Sequence, residues 1–286
     1  MIKLTYRSHL QVVTTEITEF LTFSGGEEHV RLAIEFDPGS PITITARLTS
    51  SQWIMRLFLV TDALDGMGAN RKDIGLVIPY LPYARQDRVC SPGDAFSLRA
   101  FVRLIAAQGY SQIACLDIHN GESLKLFWNH DIRVHNQTST IFSRYFKVPE
   151  ITHVVAPDKG AGNRVSAWHG AMKADNPELK YLQMDKKRNP ATGEITGLSL
   201  PYLDHADKLT GAFCLIVDDI CDGGRTFIEA AKLLKGKGAK RVELFVSHGI
   251  FSKRFDELLS PEAIDFIHTT DSICVSEHPR LRVFKL

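Results

Sequence analysis

Ten residues near position 220 carry the most specific chemistry in this chain: Val217-Asp218-Asp219-Ile220-Cys221-Asp222-Gly223-Gly224-Arg225-Thr226. They follow an apolar run at 212–217 (AFCLIV) and lead into a helical pattern at 227–234. Adjacent carboxylates such as Asp218 and Asp219, placed at a strand end, accept hydrogen bonds from the vicinal hydroxyls of a sugar, with Asp222 close by. Gly223 and Gly224 let backbone N–H groups approach a phosphate, and the N-terminus of the following helix favours its charge. The segment therefore reads as a cradle for a phosphorylated sugar, closed by Arg225 and Thr226. The plainer alternative is an acidic strand-to-helix turn with no ligand, but three acids beside a glycine nest are uncommon in such a turn.

Five further segments have side chains suited to anions or metals. Pro79-Tyr80-Leu81-Pro82-Tyr83-Ala84-Arg85-Gln86-Asp87-Arg88 follows the apolar run 74–80 (IGLVIPY). Within it, Arg85 can pair with phosphate oxygens in a forked geometry. Leu116-Asp117-Ile118-His119 ends the run 112–118 (QIACLDI); taken alone, Asp117 and His119 fit a structural pair better than a ligand set. Ala156-Pro157-Asp158-Lys159-Gly160-Ala161-Gly162 is a proline-glycine turn between a strand and a helix. Asp185-Lys186-Lys187-Arg188 opens a polar stretch running on to Gly197, which reads as a mobile loop and by itself as a solvated basic surface. Phe23-Ser24-Gly25-Gly26-Glu27 pairs an aromatic ring with a carboxylate near the start of the chain.

The elements that must position these residues follow a strand-then-helix rhythm. Apolar runs at 74–80, 112–118, 153–156, 212–217 and 241–246 read as buried strands. Residues 95–108 carry apolar side chains at helical spacing, with Gly109 where a cap is expected. Buried strands separated by helices imply parallel sheets covered on both faces. The rhythm occurs once before about residue 147 and once after it, so the expected architecture is two α/β domains. These are 1–147 and 148–286, with the boundary near Val148-Pro149-Glu150. Ligands of such sheets sit at the carboxyl ends of the strands, where four of the segments lie.

Composition narrows the classes. A chain of 286 residues can bury two cores, and 44% hydrophobic with 23% charged residues is a globular composition. A formal net charge of +1 with no basic block gives a nucleic-acid partner no electrostatic support. No run approaches the roughly 20 apolar residues of a membrane span. The N-terminus lacks the apolar core of a secretory signal. The five cysteines are odd in number and without metal-ligand spacing, which fits reduced thiols in a cytoplasm, with Cys115 and Cys214 as small buried hydrophobes.

Taken together, the segments resemble the ribose-phosphate pyrophosphokinases (phosphoribosyl pyrophosphate synthetases). Asp-Asp-x-x-Asp closing on Thr226 is similar to the ribose-phosphate loop of both type I phosphoribosyltransferases and that family. The run from Pro79 to Arg88 resembles the pyrophosphokinase sequence P-Y-x-x-Y-A-R-Q-D-R and separates the two groups, since phosphoribosyltransferases need no ATP site. The resemblance extends from about Phe23 to Phe251-Ser252 and includes Ser247-His248-Gly249. It implies two tandem phosphoribosyltransferase-like domains, an ATP-side N-terminal one and a sugar-side C-terminal one.

The resemblance also implies an activity, transfer of the β,γ-diphosphate of ATP to the anomeric hydroxyl of ribose 5-phosphate, with AMP leaving. ATP would be bound by Arg85, Gln86, Asp87 and His119, with Phe23 stacking on adenine and Glu27 accepting a hydrogen bond from it. Magnesium is the implied cofactor, held by His119 on the ATP side and by Asp158 beside the sugar, although an imidazole ligand is atypical for it. Asp158, Asp218, Asp219, Asp222, Gly223, Gly224, Arg225 and Thr226 would bind the sugar phosphate. Lys186 and Arg188, on a flap, would stabilise the transferring phosphoryl group. A homodimer or larger homo-oligomer is implied, with no nucleic acid or membrane partner.

Departures from the pattern carry expectations of their own. Gly25 stands where the family has Asp, and Ala161 where it has Gly. After Asp222 the family has T-x-G-T, whereas this chain has Gly223-Gly224-Arg225-Thr226. Less bulk and one added positive charge would suit a larger 5-substituent such as a diphosphate. Relatives in NAD-rebuilding pathways use ADP-ribose, which makes ADP-ribose the alternative acceptor. A non-catalytic nucleotide-binding relative is a third reading, opposed by the retained Lys186, Arg188 and His119.

Overall fold

The computed structural model describes residues 1–128, 130, 133–136, 150–188, 195–201, 209–253, 255–274 and 276–286. The chain divides into two compact units, Met1–Gln137 and Thr138–Leu286. The expected boundary residues Val148 and Pro149 lie outside the described residues.

In the first unit, β1 (Ile2–Ser8), β2 (Gln11–Ile17), β5 (Ile42–Ala46), β6 (Ile74–Ile78), β7 (Gln112–Cys115) and β8 (Val134–Asn136) form one sheet in the order β2-β1-β5-β6-β7-β8. The pairs from β5 to β8 are parallel, while β1 pairs antiparallel with both β2 and β5. A short hairpin of β3 (Phe20–Thr22) and β4 (Glu28–Val30) stands apart from it. β1 alternates, with Ile2, Leu4 and Tyr6 buried, as a strand with one covered face must. β6 is buried almost throughout, as a central parallel strand is.

Helices α1 (Ser51–Gly66) and α2 (Ser97–Ala106) cover this sheet, and the short α3 (Lys125–Trp128) follows β7. Ser50 caps α1, its Oγ accepting the Trp53 N–H. α1 buries Leu57, Val60, Thr61 and Leu64, and α2 buries Leu98, Phe101, Val102 and Ile105, both at helical spacing. Gly109 follows α2 with φ of 74°, the left-handed cap expected there.

The second unit contains β9 (His153–Ala156), α4 (Gly162–Lys173), β10 (Lys180–Gln183), β11 (Asp185–Arg188), β12 (Ile195–Ser199), β13 (Phe213–Cys221), α5 (Arg225–Gly236), β14 (Arg241–Gly249), β15 (Phe266–Thr270) and β16 (Leu281–Phe284). Its main sheet has the order β10-β9-β13-β14-β15-β16, with every pair parallel. Trp168 of α4 packs edge-on against Phe245 of β14, with ring centroids 4.9 Å apart. Leu215, Ile216 and Val217 are fully buried, and each such side chain contributes about 1.5–3 kcal/mol. The strand that delivers the acidic segment is therefore firmly anchored.

Two expectations are corrected here. The apolar run was expected to end at Val217, yet β13 continues to Cys221, because Asp218, Ile220 and Cys221 stay in register with Val246, His248 and Gly249 of β14. Asp218 and Asp219 are thus strand residues. The stretch beginning at Asp185 was expected as a loop; instead β11 and β12 form an antiparallel ribbon, Asp185 opposite Ser199 and Lys186 opposite Leu198. Residues 189–194 of that stretch lie outside the described residues.

All five cysteines are free; Cys115 and Cys214 are buried, and burial pushes both thiols up to about 12. That is the inert behaviour of small core residues.

Candidate active site: strand ends in each unit

In the second unit the chain leaves β9 through α4 to β10 on one side, and leaves β13 through α5 to β14 on the other. The gap between β9 and β13 is a topological switch point, where open α/β sheets bind ligands. The loop with Asp158 and the acidic end of β13 flank it.

Asp219 is buried and Asp218 nearly so. Arg164, in the first turn of α4, lies with Nη1 3.4 Å from Asp218 Oδ1 and 3.6 Å from Asp219 Oδ1. Asp218 Oδ1 also accepts the Asp219 N–H at 2.9 Å. Burial, then the neighbouring Asp219 carboxylate, raises the Asp218 carboxyl well above the usual range, while Arg164 opposes the shift. Arg164 was not singled out from the sequence; its only signal is a lone cation two residues beyond Gly162.

Gly224 caps α5 with φ of 76°, and a Cβ there would meet Leu258 Cδ2 at 2.7 Å, so both conformation and space demand glycine. Its carbonyl accepts the N–H groups of Phe227 and Ile228 at 3.0 and 3.1 Å, closing the first turn. The N–H groups of Arg225 and Thr226 then lead the helix, where such groups have no intrahelical acceptor. Gly223 is different: a Cβ there would only touch Lys253 Cδ and Cε at 3.8 Å. Asp222 Oδ1 accepts the Ser252 hydroxyl at 2.6 Å, and Arg225 is exposed.

Asp158 Oδ1 accepts the Ala161 N–H at 3.1 Å, bracing the turn into α4. Ala161 has φ of −77°, so its side chain is tolerated, whereas a Cβ on Gly162 would meet Gln183 Oε1 at 2.8 Å. A side chain at position 162 would therefore have to displace the end of Gln183. Lys186 and Arg188 belong to β11, within the same unit.

In the first unit the adjacent parallel strands β6 and β7 end beside each other, and the Leu116 N–H donates to Pro79 O at 3.0 Å just past them. This brings the loop carrying Arg85, Gln86 and Asp87 next to the loop carrying His119. Asn120 Nδ2 donates to Asp87 Oδ2 at 2.7 Å, while Asn120 Oδ1 accepts the Glu122 N–H at 3.0 Å. Asp87 is only 10% exposed in its side chain, whereas Arg85, Gln86 and His119 face solvent. Asn120 is a second residue the sequence reading missed.

Tyr83 and the buried Asp117 both hold positive φ, 63° and 39°. Such conformations cost side-chain-bearing residues about 1–3 kcal/mol each and gather at functional sites. Tyr83 is held by its ring, 5.7 Å from that of Phe101, and its carbonyl accepts the Gln86 N–H at 2.8 Å.

Phe23 and Glu27 sit at the tip of the β3–β4 hairpin, which packs on α1. Phe23 is 52% exposed. The hairpin is anchored by Glu28, whose carboxylate accepts from Thr22, Gln52 and Arg56, and these bonds hold it down at about 2. An added Cβ at Gly25 would collide with the Glu27 carboxylate, so aspartate in that place would displace Glu27.

Among the described residues no group of three or more His, Cys, Asp or Glu side chains is arranged to hold a metal. The donors at hand are the exposed imidazole of His119 and the carboxylate of Asp158. They belong to different units; a carboxylate such as Asp158 is the donor type magnesium prefers, and that ion dehydrates reluctantly and is held by few protein groups together with substrate phosphates.

Two mainly parallel sheets flanked by helices, one with an acidic, glycine-bearing turn at its switch point, make this a phosphoribosyltransferase-type fold. The phosphoribosyl transferase domain family matches residues 140–275, and the N-terminal domain of ribose phosphate pyrophosphokinase matches residues 6–109. Ribose-phosphate pyrophosphokinases from Thermococcus kodakarensis and Pyrococcus furiosus are 32% and 31% identical to the chain, each alignment covering 89% of this chain and 85% of the relative. That of Hyphomonas neptunium is 33% identical over 79% of this chain and 69% of its own. The fold is that of the phosphoribosylpyrophosphate synthetase from Mycobacterium smegmatis, with a TM-score of 0.75 at 23% identity over 96% of this chain and 87% of that one. The chain belongs to the ribose-phosphate pyrophosphokinase family.

Proposed function

We propose that the protein transfers the β,γ-diphosphate of ATP to the anomeric hydroxyl of ribose 5-phosphate, giving phosphoribosyl pyrophosphate and AMP. The observation that carries this is the Asp218–Asp219 pair, clamped by Arg164 beside the Gly223-Gly224 turn, in a chain whose relatives bear the name ribose-phosphate pyrophosphokinase. The ribose hydroxyls donate to Asp218 and Asp219, and the 5-phosphate rests on the N–H groups that open α5. Arg85, Gln86 and His119 bind the ATP phosphates and base, with Asp87 holding their loop in place. Phe23 and Glu27 offer an adenine contact from the hairpin.

In the reaction a bond forms from the anomeric oxygen to the β-phosphorus. The bond from that phosphorus to the α,β-bridging oxygen breaks, and AMP departs with that oxygen. The proton of the anomeric hydroxyl passes to solvent water. No side chain becomes covalently attached. Lys186 and Arg188 neutralise charge developing on the transferred group. Magnesium, when bound, would supply further charge neutralisation; His119 would hold it on the ATP side and Asp158 would hold a second ion beside the sugar. The N-terminal domain serves ATP and the C-terminal domain the sugar, in a cytoplasmic homo-oligomer.

The test is Lys186→Ala: kcat should fall far more than either KM rises, and unchanged turnover would remove the assignment. A second acceptor, ADP-ribose, is favoured by one feature, the missing side chain at Gly223 beside the Lys253 stem, with the exposed Arg225 two residues on. Offering both acceptors with ATP and weighing the products by mass spectrometry separates the two readings.

A further inference from the structure

After β14 the chain turns back over the acidic segment and is fixed there at three successive residues. The N–H groups of Ile250 and Phe251 both donate to Cys221 O, at 2.8 and 3.2 Å. Phe251 adopts φ of 49° and buries its ring, 5.0 Å from that of Phe255, in space that exists only because residue 249 is glycine. Ser252 Oγ donates to Asp222 Oδ1 at 2.6 Å. The next residue, Lys253, is exposed, and its Cδ and Cε lie 3.8 Å from where a Cβ on Gly223 would be. The lysine stem therefore runs alongside the space that position 223 leaves without a side chain, two residues before α5 begins.

This placement gathers positive charge. The N-terminus of α5 carries partial positive charge, and Arg225 adds a cation there. The acids nearby already have partners: Asp218 and Asp219 face Arg164, and Asp222 accepts from Ser252. Arg225 on the helix start and Lys253 on the segment pinned beside Gly223 are two exposed cations that suit a negatively charged ligand.

We infer that Lys253 is a phosphate-binding residue of the acceptor site, taking the 5-phosphate from the side left open by Gly223. This rests on the reading of the 218–226 segment as the acceptor site. The stem keeps the ammonium over the turn, and the backbone N–H groups of the helix start hold the phosphate from the other side.

The test uses the full chain with Lys253→Met, which keeps the stem, and Lys253→Arg, which keeps the charge. Loss of a charge-assisted contact should raise the KM for ribose 5-phosphate at least about tenfold. The kcat and the KM for ATP should stay within about twofold, since the contact is made equally before and during transfer. Lys253→Arg should recover most of the affinity, and salt should narrow the gap between wild type and Lys253→Met. A Lys253→Met enzyme with an unchanged KM for ribose 5-phosphate overturns the inference while leaving the transfer reaction standing. If the wild type forms no product, the transfer reading fails, and calorimetric titration with ribose 5-phosphate decides Lys253 alone. A weaker fit to Lys253→Met than to wild type supports it, and equal behaviour of the two, including no binding by either, overturns it.

Discussion

Arg164 Nη1 sits 3.4 Å from Asp218 Oδ1, joining the first turn of α4 to the last residues of β13 across the switch point of the sheet. One guanidinium thereby keeps two neighbouring carboxylates, Asp218 and Asp219, compatible with burial. Replacing it by methionine removes the guanidinium that lies 3.4 and 3.6 Å from the two acids. Breaking a buried pair costs about 3–5 kcal/mol, and the residual exposure of Arg164 and Asp218, 11% and 19%, places this case near the lower end. Arg164→Met should lower Tm and raise the KM for ribose 5-phosphate, which thermal melts and initial rates will measure. Arg164→Lys should recover part of both.

The raised Asp218 carboxyl gives the second prediction its sign. A carboxyl whose folded value lies above its unfolded one stabilises the fold below the unfolded value, and that contribution disappears as pH rises through the folded value. The ligand-free protein should therefore lose stability as pH climbs through the raised value. A sugar donating two hydroxyls prefers the ionised carboxylate, so acceptor affinity should rise over the same interval. Asp218→Asn should abolish both slopes and weaken acceptor binding. Melting temperatures and acceptor KM across pH test this; an Asp218→Asn enzyme with the wild-type slopes would place the proton elsewhere.

On the ATP side, Asn120 should act through Asp87. Asn120→Ala leaves the largely buried Asp87 carboxylate without its 2.7 Å donor, at a cost of about 1–3 kcal/mol. The KM for ATP should rise while that for ribose 5-phosphate stays put, because the two residues belong to the unit with Arg85 and His119. Equal effects on both substrates would point to general loss of fold.

Acid should release the β3–β4 hairpin. Glu28 is held down from its usual 4.5 to about 2 by Thr22, Gln52 and Arg56, so its contribution is full above 4.5 and disappears as pH falls toward about 2. Arg56 also lies over the rings of Phe20 and Trp53, 4.7 and 4.8 Å from their centroids. Fluorescence of Trp53, in a background with the other tryptophans replaced, should change within that window. In Glu28→Gln it should be altered already at neutral pH.

Much of the second unit was legible in its sequence because its strands are continuous apolar runs that end in chemistry-bearing turns. The first unit was less so. β1 to β5 alternate or are short, and α1 reads WIMRLFLV, apolar almost all round, so periodicity did not reveal it. Asp218 and Asp219 were recognised as a pair, but not as strand residues, since their polarity hides the register with β14. Arg164, Asn120 and Lys253 escaped notice for a common reason. Each acts on a residue 33 to 54 positions away or from a segment joined only by the fold, and no local spacing records that.

The identity of the leaving nucleotide tests the central claim most directly. With ATP, magnesium and ribose 5-phosphate, the account predicts acceptor-dependent release of AMP, one for each phosphoribosyl pyrophosphate formed. Release of ADP, or AMP formation that does not depend on the acceptor, would contradict transfer by attack at the β-phosphorus.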